Sequence, residues 1–337
     1  MSQEDQGSLI LIEFPWPSQI PQDLLLPLEK NARLLVWQEL SPEEKMGALA
    51  QAKALVTLSP EQELGHRWES RMPALEFLQT LTAGVDHVDF RALPEKTLAC
   101  CNAGAYARPI AEHALGMALA ILKKFYANHE KLRQGIFDQM AFSGSLYGKT
   151  LGIFGYGGIG RAMAQLCRAF DMRILGVNRS GKSSEPPDFL GTMADLPKIL
   201  READVFLVSC PLTRETLGAI GKNELALMKE DALFINVARG EIVHEEALYT
   251  HLKTHPLFHA AIDAWWVEPM RHGDFRLRFP FLELENVLGS PHNSPLVPGA
   301  LEHSLRQAME NAAAWLDGKS PRWVVDKKIQ LSTEEKR

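Results

Sequence analysis

The sequence predicts an α/β protein with two units, each built on a parallel β-sheet covered by helices. Two series of short apolar runs alternate with helical segments, one up to about residue 102 and one from Thr150 onward. Such alternation is typical of parallel sheets, because each return to a parallel strand needs a crossover. The length of 337 residues suits two domains.

The first series contains five predicted strands, at 8–14, 33–37, 54–58, 75–81 and 97–102. Between the second and third strands, Ser41-Pro42-Glu43-Glu44 has the pattern of a capping box with proline at the first helical position. This pattern predicts a helix that continues to about Ala52.

The second series follows a long predicted helix at 109–124. Its predicted strands lie at 151–154, 173–177, 205–209, 233–237 and 259–262, with helices at 158–170, 222–228 and 245–253. After it we expect a helix at 298–317 closed by Gly318, a return strand at 322–325 and a disordered tail at 332–337. Ligands are expected in the cleft at the carboxyl ends of the strands.

Charge and cysteine content argue against several classes of function. Acidic residues outnumber basic ones by 42 to 36, so nucleic acid is not expected as a partner. Cys100, Cys101, Cys167 and Cys210 form no CxxC pair, which argues against a zinc site or a disulfide framework. No secretory signal is visible, and the most apolar helical run, 114–122, is too short to cross a bilayer. We expect a cytoplasmic protein without a metal site and without a membrane partner.

A glycine-rich loop follows the first strand of the second series and has the sequence Gly155-Tyr156-Gly157-Gly158-Ile159-Gly160. Between a strand and an amphipathic helix, this GxGxxG pattern predicts a dinucleotide site. Gly155 permits the tight turn, Gly157 lets the backbone approach a pyrophosphate, and Gly160 allows close helix–strand packing. The helix N-terminus offers free amides to the phosphates.

The end of the next strand bears on the choice of dinucleotide. Where an acid would bind the ribose hydroxyls of NAD, the chain has Asn178, Arg179 and Ser180, with Lys182 just beyond. No carboxylate would repel a 2′-phosphate there, and Arg179 can bind one bidentately. We expect NADP(H) to be preferred. The alternative is that Arg179 and Lys182 are solvated charges and NAD(H) is accepted as well.

Three further segments contain the residues for a reaction. They are Asn236-Val237-Ala238-Arg239-Gly240, Asp263-Ala264-Trp265-Trp266-Val267-Glu268-Pro269 and Ser290-Pro291-His292-Asn293. Arg239, Glu268 and His292 make a set suited to reducing a 2-oxo acid. Such a reaction needs a fixed cation for the carboxylate and an acid that protonates the carbonyl oxygen as hydride arrives. A carboxylate beside the histidine would favour its charged form.

In these motifs and their order, the chain resembles the D-isomer-specific 2-hydroxyacid dehydrogenase family over nearly its whole length. The segment 81–86, LTAGVD, resembles the loop whose amides hold a substrate carboxylate, and 110–113, IAEH, resembles the start of the interdomain helix. The resemblance implies a flavodoxin-like substrate-binding domain of residues 1–108 and 294–337. It further implies an inserted NAD(P)-binding Rossmann domain of residues 109–293, and a homodimer.

The resemblance also implies a role for each site residue. Arg239 would bind the substrate's carboxylate and carbonyl, His292 would be the acid/base, and Glu268 would tune that histidine. Asp263 would hold the nicotinamide carboxamide. Further substrate contacts are expected from Ala83, Gly84 and Val85. Beyond the glycine-rich loop and 178–180, further cofactor contacts are expected from Cys210, Pro211, Thr216, Val237 and Ala238.

The chain departs from the family pattern at several positions. Gly158 stands where a basic or polar residue is often found, and His244 stands where aspartate is common. Trp265 and Trp266 replace smaller residues near Glu268. Either they pack in the core, or an indole enters the cleft and favours small substrates.

The expected activity is hydride transfer between NAD(P)H, chiefly NADPH, and a small 2-oxo acid of the glyoxylate or hydroxypyruvate type. Formate or phosphite oxidation is an alternative. Formate oxidation needs no general acid, so a Glu268–His292 pair counts against it, while a substrate panel must separate phosphite. A second alternative is a corepressor-like sensor of NAD(H), which would show a peptide groove or long disordered tails.

Overall fold

The computed structural model describes residues 8–14, 20–58 and 60–331. It divides into two compact units, one of Met1–Tyr106 with Val297–Arg337 and one of Ala107–Leu296. Each unit has an all-parallel sheet, which confirms the predicted α/β class. The predicted disordered tail at 332–337 lies outside the described residues.

The sheet of the first unit has five strands. They are β1 (Ser8–Glu13), β2 (Ala32–Val36), β3 (Ala54–Thr57), β4 (Phe77–Thr80) and β5 (Leu98–Cys100), in the order β2-β1-β3-β4-β5. Successive side chains of a strand point to opposite faces, so Ile10 and Ile12 belong to one core cluster and Leu11 to another. Both faces of this sheet are therefore buried.

Helices cover the two faces of the first sheet. They are α1 (Gln22–Glu29), α2 (Pro42–Gln51), α3 (Pro60–Leu64) and, near the end of the chain, α11 (Ala300–Leu316). Leu28 of α1 and Met309 of α11 pack with Ile10, whereas Leu49 of α2 packs with Leu11. The predicted capping box is confirmed, since Glu44 N–H donates to Ser41 Oγ and Ser41 N–H donates to Glu44 Oε2.

The sheet of the second unit has seven strands. They are β6 (Thr150–Phe154), β7 (Arg173–Val177), β8 (Phe189–Gly191), β9 (Val205–Val208), β10 (Leu233–Asn236), β11 (His259–Ile262) and β12 (Val287–Gly289). Their order is β12-β11-β10-β9-β6-β7-β8. The chain therefore runs outward from β6 in both directions, and the connections reverse between β6 and β9. In such sheets the crevice at the reversal is where ligands bind.

Helices cover both faces of this second sheet as well. They are α4 (Ala107–Leu122), α5 (Phe125–Arg133), α6 (Gly158–Arg168), α7 (Leu196–Glu202), α8 (Lys222–Leu225), α9 (Glu245–Thr254) and α10 (Pro269–His272). A Cβ added to Gly152 of β6 would lie 2.7 Å from Ile199 of α7. The next side chain, Ile153, lies 2.9 Å from where a Cβ of Gly160 in α6 would be. This arrangement, with helices on each side, confirms the predicted doubly wound fold.

The return strand predicted at 322–325 is wrong. An isolated antiparallel bridge joins Val324 to Cys100, and no ladder develops around it within the described residues. Trp323 has φ +60°, a left-handed conformation that interrupts an extended run. The predicted helix at 222–228 is also shorter, because α8 ends at Leu225. None of the helices in the described part of the chain is long and apolar enough to cross a membrane.

Candidate active site

The glycine-rich loop joins β6 to α6 at the reversal of the second sheet. Gly155 has φ +105°, and a Cβ there would lie 2.3 Å from the backbone nitrogen of Cys210, so no other residue fits. A Cβ on Gly157 would meet nothing nearer than Gly155 O at 4.0 Å, so the loop is open beside that residue. The first N–H groups of α6, from Gly158 onward, have no acceptor inside the helix. This open cradle of amides fits a dinucleotide pyrophosphate.

Tyr156 lies in the loop, but its side chain is part of the core. Its N–H donates to Val177 O and its hydroxyl donates to Glu185 O at 3.0 Å. A Cβ on Gly176 of β7 would lie 2.9 Å from the Tyr156 ring. Tyr156 therefore ties the loop to β7, and its amide is already engaged.

The loop after β7 contains the three residues predicted to bind the adenosine ribose. Asn178 Oδ1 accepts from the backbone N–H groups of Ser180 and Gly181, at 3.1 and 2.7 Å. Asn178 Nδ2 donates to Lys182 O at 3.0 Å. Asn178 thus shapes a tight loop on which Arg179 is exposed.

The segments after β9 and β10 hold the other predicted cofactor residues. Cys210 is buried, and burial raises the pKa of its thiol well above the usual value. Thr216 Oγ1 donates to Pro211 O at 2.7 Å and so closes the loop after β9. Val237 and Ala238 are buried directly after β10. These five residues follow the carboxyl ends of β9, which pairs with β6, and of β10, which pairs with β9.

Asp263 follows β11 and is fully buried. Ser290 Oγ donates to Asp263 Oδ1 at 2.5 Å and lies 3.0 Å from His113 Nε2 on α4. The other oxygen, Asp263 Oδ2, has no hydrogen-bond partner among the described residues. A buried acceptor of this kind must be satisfied, and a carboxamide N–H of a nicotinamide would satisfy it. The backbone N–H groups of the glycine-rich loop and the Asp263 carboxylate thus fit a nicotinamide dinucleotide.

His292 and Glu268 form a direct pair. His292 Nδ1 lies 2.8 and 2.9 Å from the two carboxylate oxygens of Glu268, and Trp265 N–H donates to Glu268 Oε1 at 2.7 Å. Burial acts to raise the pKa of Glu268, but the hydrogen bond and charge of His292, the Trp265 N–H and the charge of Arg239 together outweigh it, so the pKa is lowered. The ionised carboxylate only accepts, so Nδ1 carries the proton and Nε2 is the atom left for a ligand. His292 has φ +50°, a strained conformation found at functional sites.

Arg239 lies close to this pair. It directly follows Ala238 and is half-buried, and Asn236 Nδ2 donates to Arg239 O at 2.9 Å. Its positive charge contributes to the lowered pKa of Glu268. The structure therefore brings Arg239, Glu268 and His292 together at the ends of β10, β11 and β12, although Arg239 and His292 lie 53 positions apart in the sequence.

Of the two alternatives for the tryptophans, Trp265 takes the core position, while Trp266 is half-buried and packs on a neighbouring loop. Trp265 is buried and its Nε1 donates to Ser290 O at 2.8 Å. Trp266 stacks on Phe281 with ring centroids 5.2 Å apart, and its Nε1 donates to Val243 O at 2.7 Å. Both indoles thereby anchor neighbouring loops of the second unit.

Ala83, Gly84 and Val85 belong to the first unit and follow the carboxyl end of β4. Thr82 Oγ1 donates to Gly84 O at 2.7 Å, and Ser304 Oγ donates to Leu81 O at 3.0 Å. These hydrogen bonds give the loop a defined shape. Ala83 is exposed, whereas Val85 is buried.

Two sets of polar residues at this site were missed by sequence reasoning. Ser290 and His113 both lie inside quoted motifs, SPH and IAEH, but nothing in their spacing connects them to Asp263. Glu241 and Arg271 form an ion pair beside the Arg239 loop. In the sequence, Glu241 and Arg271 are only charged residues that follow the segments of Arg239 and Glu268, and nothing there shows that they pair with each other.

Comparisons with known proteins show the family to which this chain belongs. Residues 115–294 match the family model described as D-isomer specific 2-hydroxyacid dehydrogenase, NAD binding domain. The glyoxylate reductase of Thermococcus gammatolerans is 30% identical over 322 residues, covering 92% of this chain and 94% of that protein. The D-3-phosphoglycerate dehydrogenase of Methanocaldococcus jannaschii is 32% identical over 275 residues, covering 80% of this chain and 51% of that protein.

A solved structure shows the same fold. The glyoxylate reductase from Paecilomyes thermophila superposes with a TM-score of 0.80 at 23% identity, covering 96% of this chain and 99% of that one. The family model alone spans more than half of the 337 residues. The chain belongs to the D-isomer-specific 2-hydroxyacid dehydrogenase family and is an oxidoreductase with an NAD(P)-binding domain.

Proposed function

We propose that this enzyme reduces a small 2-oxo acid to the D-2-hydroxy acid, with NADPH as the preferred reductant and glyoxylate or hydroxypyruvate as the substrate type. The observation that carries the proposal is the Glu268–His292 pair beside the Arg239 charge. The similarity to glyoxylate reductases over 92% of the chain supports a small substrate.

The residues divide the chemistry between them. Arg239 holds the substrate's carboxylate and polarises its carbonyl, and the amides of residues 83–85 add further donors for the carboxylate. His292 Nε2 delivers a proton to the carbonyl oxygen, while ionised Glu268 holds Nδ1–H and stabilises the charged ring. The nicotinamide, when bound, supplies the hydride to the carbonyl carbon.

The same proposal assigns the two parts of the chain. Residues 109–293 would form the cofactor domain, with the α6 amides for the pyrophosphate and Asp263 Oδ2 for the carboxamide. Residues 1–108 and 294–337 would form the substrate-binding domain. A cytoplasmic location is proposed with it, because all four cysteines are free thiols, as expected in a reducing compartment.

The preference for NADPH rests on the loop after β7. From Asn178 to Ser184 this loop contains no carboxylate, and Arg179 and Lys182 are both exposed on it. We expect Arg179→Ala to raise the KM for NADPH about tenfold or more and the KM for NADH little, because the lost hydrogen bonds go to a charged phosphate. Steady-state kinetics with both cofactors measure the two changes.

The matched control is Arg201→Ala, an exposed arginine on α7. It removes the same charge from the same unit and should leave both KM values within about twofold, as surface substitutions usually do. Equal losses of NADPH and NADH affinity in Arg179→Ala would refute the phosphate contact.

A homodimer is part of the proposal and rests on an exposed apolar segment. Between α5 and β6, Phe137, Met140 and Phe142 are 76, 78 and 91% exposed. Monomers rarely present such a cluster to water, and a second copy of the chain would cover it. We expect sedimentation velocity to show a dimer that Phe142→Asp weakens; a wild-type monomer at micromolar concentration would contradict this.

The reaction itself is tested by following the absorbance of the reduced nicotinamide. NADPH and NADH are each offered with glyoxylate, hydroxypyruvate, pyruvate and bulkier 2-oxo acids, and formate and phosphite are offered with the oxidised cofactors. We expect the fastest consumption of reduced cofactor with NADPH and either glyoxylate or hydroxypyruvate. Failure with every 2-oxo acid, in protein shown to bind the cofactor, would overturn the proposal.

A further inference from the structure

A two-pronged ion pair connects the loop of Arg239 to the loop of Glu268. Arg271 Nη2 lies 2.6 Å from Glu241 Oε1, and Arg271 Nη1 lies 3.1 Å from Glu241 Oε2. The side chains are only 17 and 23% exposed. Paired in this fork geometry and partly shielded from water, the two charges interact more strongly than exposed ion pairs do.

Each partner is fixed to a residue of the proposed site by backbone contacts. Glu241 comes two residues after Arg239, in the short turn Gly240–Ile242. Arg271 comes three residues after Glu268, and Glu268 O accepts from the N–H groups of Arg271 and His272 at 3.2 and 2.8 Å. His272 Nδ1 in turn accepts from Glu268 N–H at 3.0 Å. A shift of Arg271 would therefore move Glu268 through the backbone hydrogen bonds of helix α10.

The backbones of the Arg239 loop and the Glu268 loop are also in direct contact. A Cβ on Gly240 would lie 2.5 Å from the backbone of both Trp265 and Trp266, so the turn packs directly on the segment that leads to Glu268. The Trp266 indole bonds to Val243 O on the far side of the same turn. The two loops are therefore held together at two places. One is the backbone contact of Gly240 with Trp265 and Trp266, and the other is the Glu241–Arg271 ion pair.

We propose that Glu241 and Arg271 are positioning residues that set the distance between the Arg239 guanidinium and the Glu268–His292 pair. This inference rests on the proposed function, because it concerns the geometry of that reaction. Neither residue is assigned a contact with substrate. The reaction needs the carboxylate of one substrate held by Arg239 while His292 reaches its carbonyl oxygen, and a shift of about 1 Å in either group lowers the rate steeply.

The test is a double-mutant cycle with Arg271→Met, Glu241→Gln and the double variant. We expect each single variant to lower kcat/KM for the 2-oxo acid about tenfold or more, with the KM for NADPH little changed. The double variant should lose about as much as a single one, because a pair that acts as a unit gives non-additive effects. Losses that multiply would show that the two residues act separately and would overturn the proposal.

Arg276→Met is the matched control. Arg276 lies in the same segment, and its ion pair with Asp274 is 73 and 59% exposed, so its removal should change kcat/KM less than about twofold. Arg271→Lys keeps the charge without the fork and should give an intermediate loss. This variant keeps the proposal testable if Arg271→Met folds poorly.

A measurement without turnover separates positioning from mere stability. The Nδ1–H resonance of His292, whose proton is held by Glu268, is identified by its loss in His292→Ala and compared between wild type and Arg271→Met at one pH. We expect the resonance to move upfield or to broaden in the variant, because a displaced Glu268 leaves a longer hydrogen bond to Nδ1. An unchanged resonance, with only a lower Tm, would overturn the proposal. Because no substrate is used, this outcome is independent of which reaction the enzyme catalyses.

Discussion

In the His292→Ala variant we expect kcat with NADPH and the best 2-oxo acid to fall about 100-fold or more, the loss typical of a missing general acid. Cofactor affinity should change little, because His292 is not among the proposed cofactor contacts. Steady-state kinetics measure the first quantity, and a fluorescence titration with NADPH measures the second. Turnover near that of wild type would remove His292 from the mechanism.

His244→Ala is the matched control for this variant. His244 is an exposed histidine at the N-terminus of α9 in the same unit, and its side chain makes no capping hydrogen bond. We expect its kcat within about twofold of wild type, as for most surface substitutions. A comparable loss in both variants would point to general damage and not to a missing acid.

The pH dependence of thermal stability is an independent test of the Glu268–His292 pair. In wild type the pKa of Glu268 is lowered, so its charge stabilises the fold above the unfolded value of 4.5, and this contribution is lost as pH falls through the folded pKa. His292→Ala removes the two largest effects that oppose burial, so we expect burial to raise the pKa of Glu268 in that variant. A carboxylate with a raised pKa destabilises the fold as it ionises. The Tm of His292→Ala should therefore fall further below that of wild type as pH rises from 5 to 7.

The parallel sheets were predictable because buried parallel strands are short apolar runs between helical segments, as 151–154 and 173–177 show. Strands β8 and β12 were not predicted, since three residues are too few to show any periodicity. Helix α1 was missed as well, and Pro27 lies inside it, where proline normally argues against a helix. In each case tertiary packing decided the element against its local signal.

The neighbouring places of Arg239 and Glu268 were predictable because both follow predicted strands, and the carboxyl ends of parallel strands meet at one edge. His292 follows β12, which was not predicted, so its place in the set rested on the family resemblance. The left-handed backbone of His292 and the paired hydrogen bonds between Arg271 and Glu241 were not predictable. Which of many charged neighbours pairs with which depends on rotamers and on the packing of Trp265 and Trp266. Those details emerge only when the loops are placed in three dimensions.

The Arg239→Met variant should show the largest loss in kcat/KM for the 2-oxo acid, about a thousandfold. The guanidinium is the proposed fixed charge for both the carboxylate and the developing oxyanion. Removal of one donor to a developing oxyanion lowers rates about 10²–10³-fold. Methionine keeps most of the aliphatic volume, so the Arg239 turn and its contact with Trp265 should persist. The KM for NADPH should stay within about threefold, since no cofactor phosphate is assigned to Arg239.

Arg239→Lys separates charge from geometry at this position. Lysine keeps the positive charge but lacks the planar fork that binds a carboxylate through two parallel hydrogen bonds, so we expect an intermediate loss. Recovery of Arg239→Met by added guanidinium, without recovery by added ammonium, would assign the effect to the missing fork. Arg276→Met, exposed in the same unit, is the control for loss of a positive charge. An Arg239→Met enzyme with unchanged KM for the 2-oxo acid and unchanged kcat would mean that another cation holds the substrate.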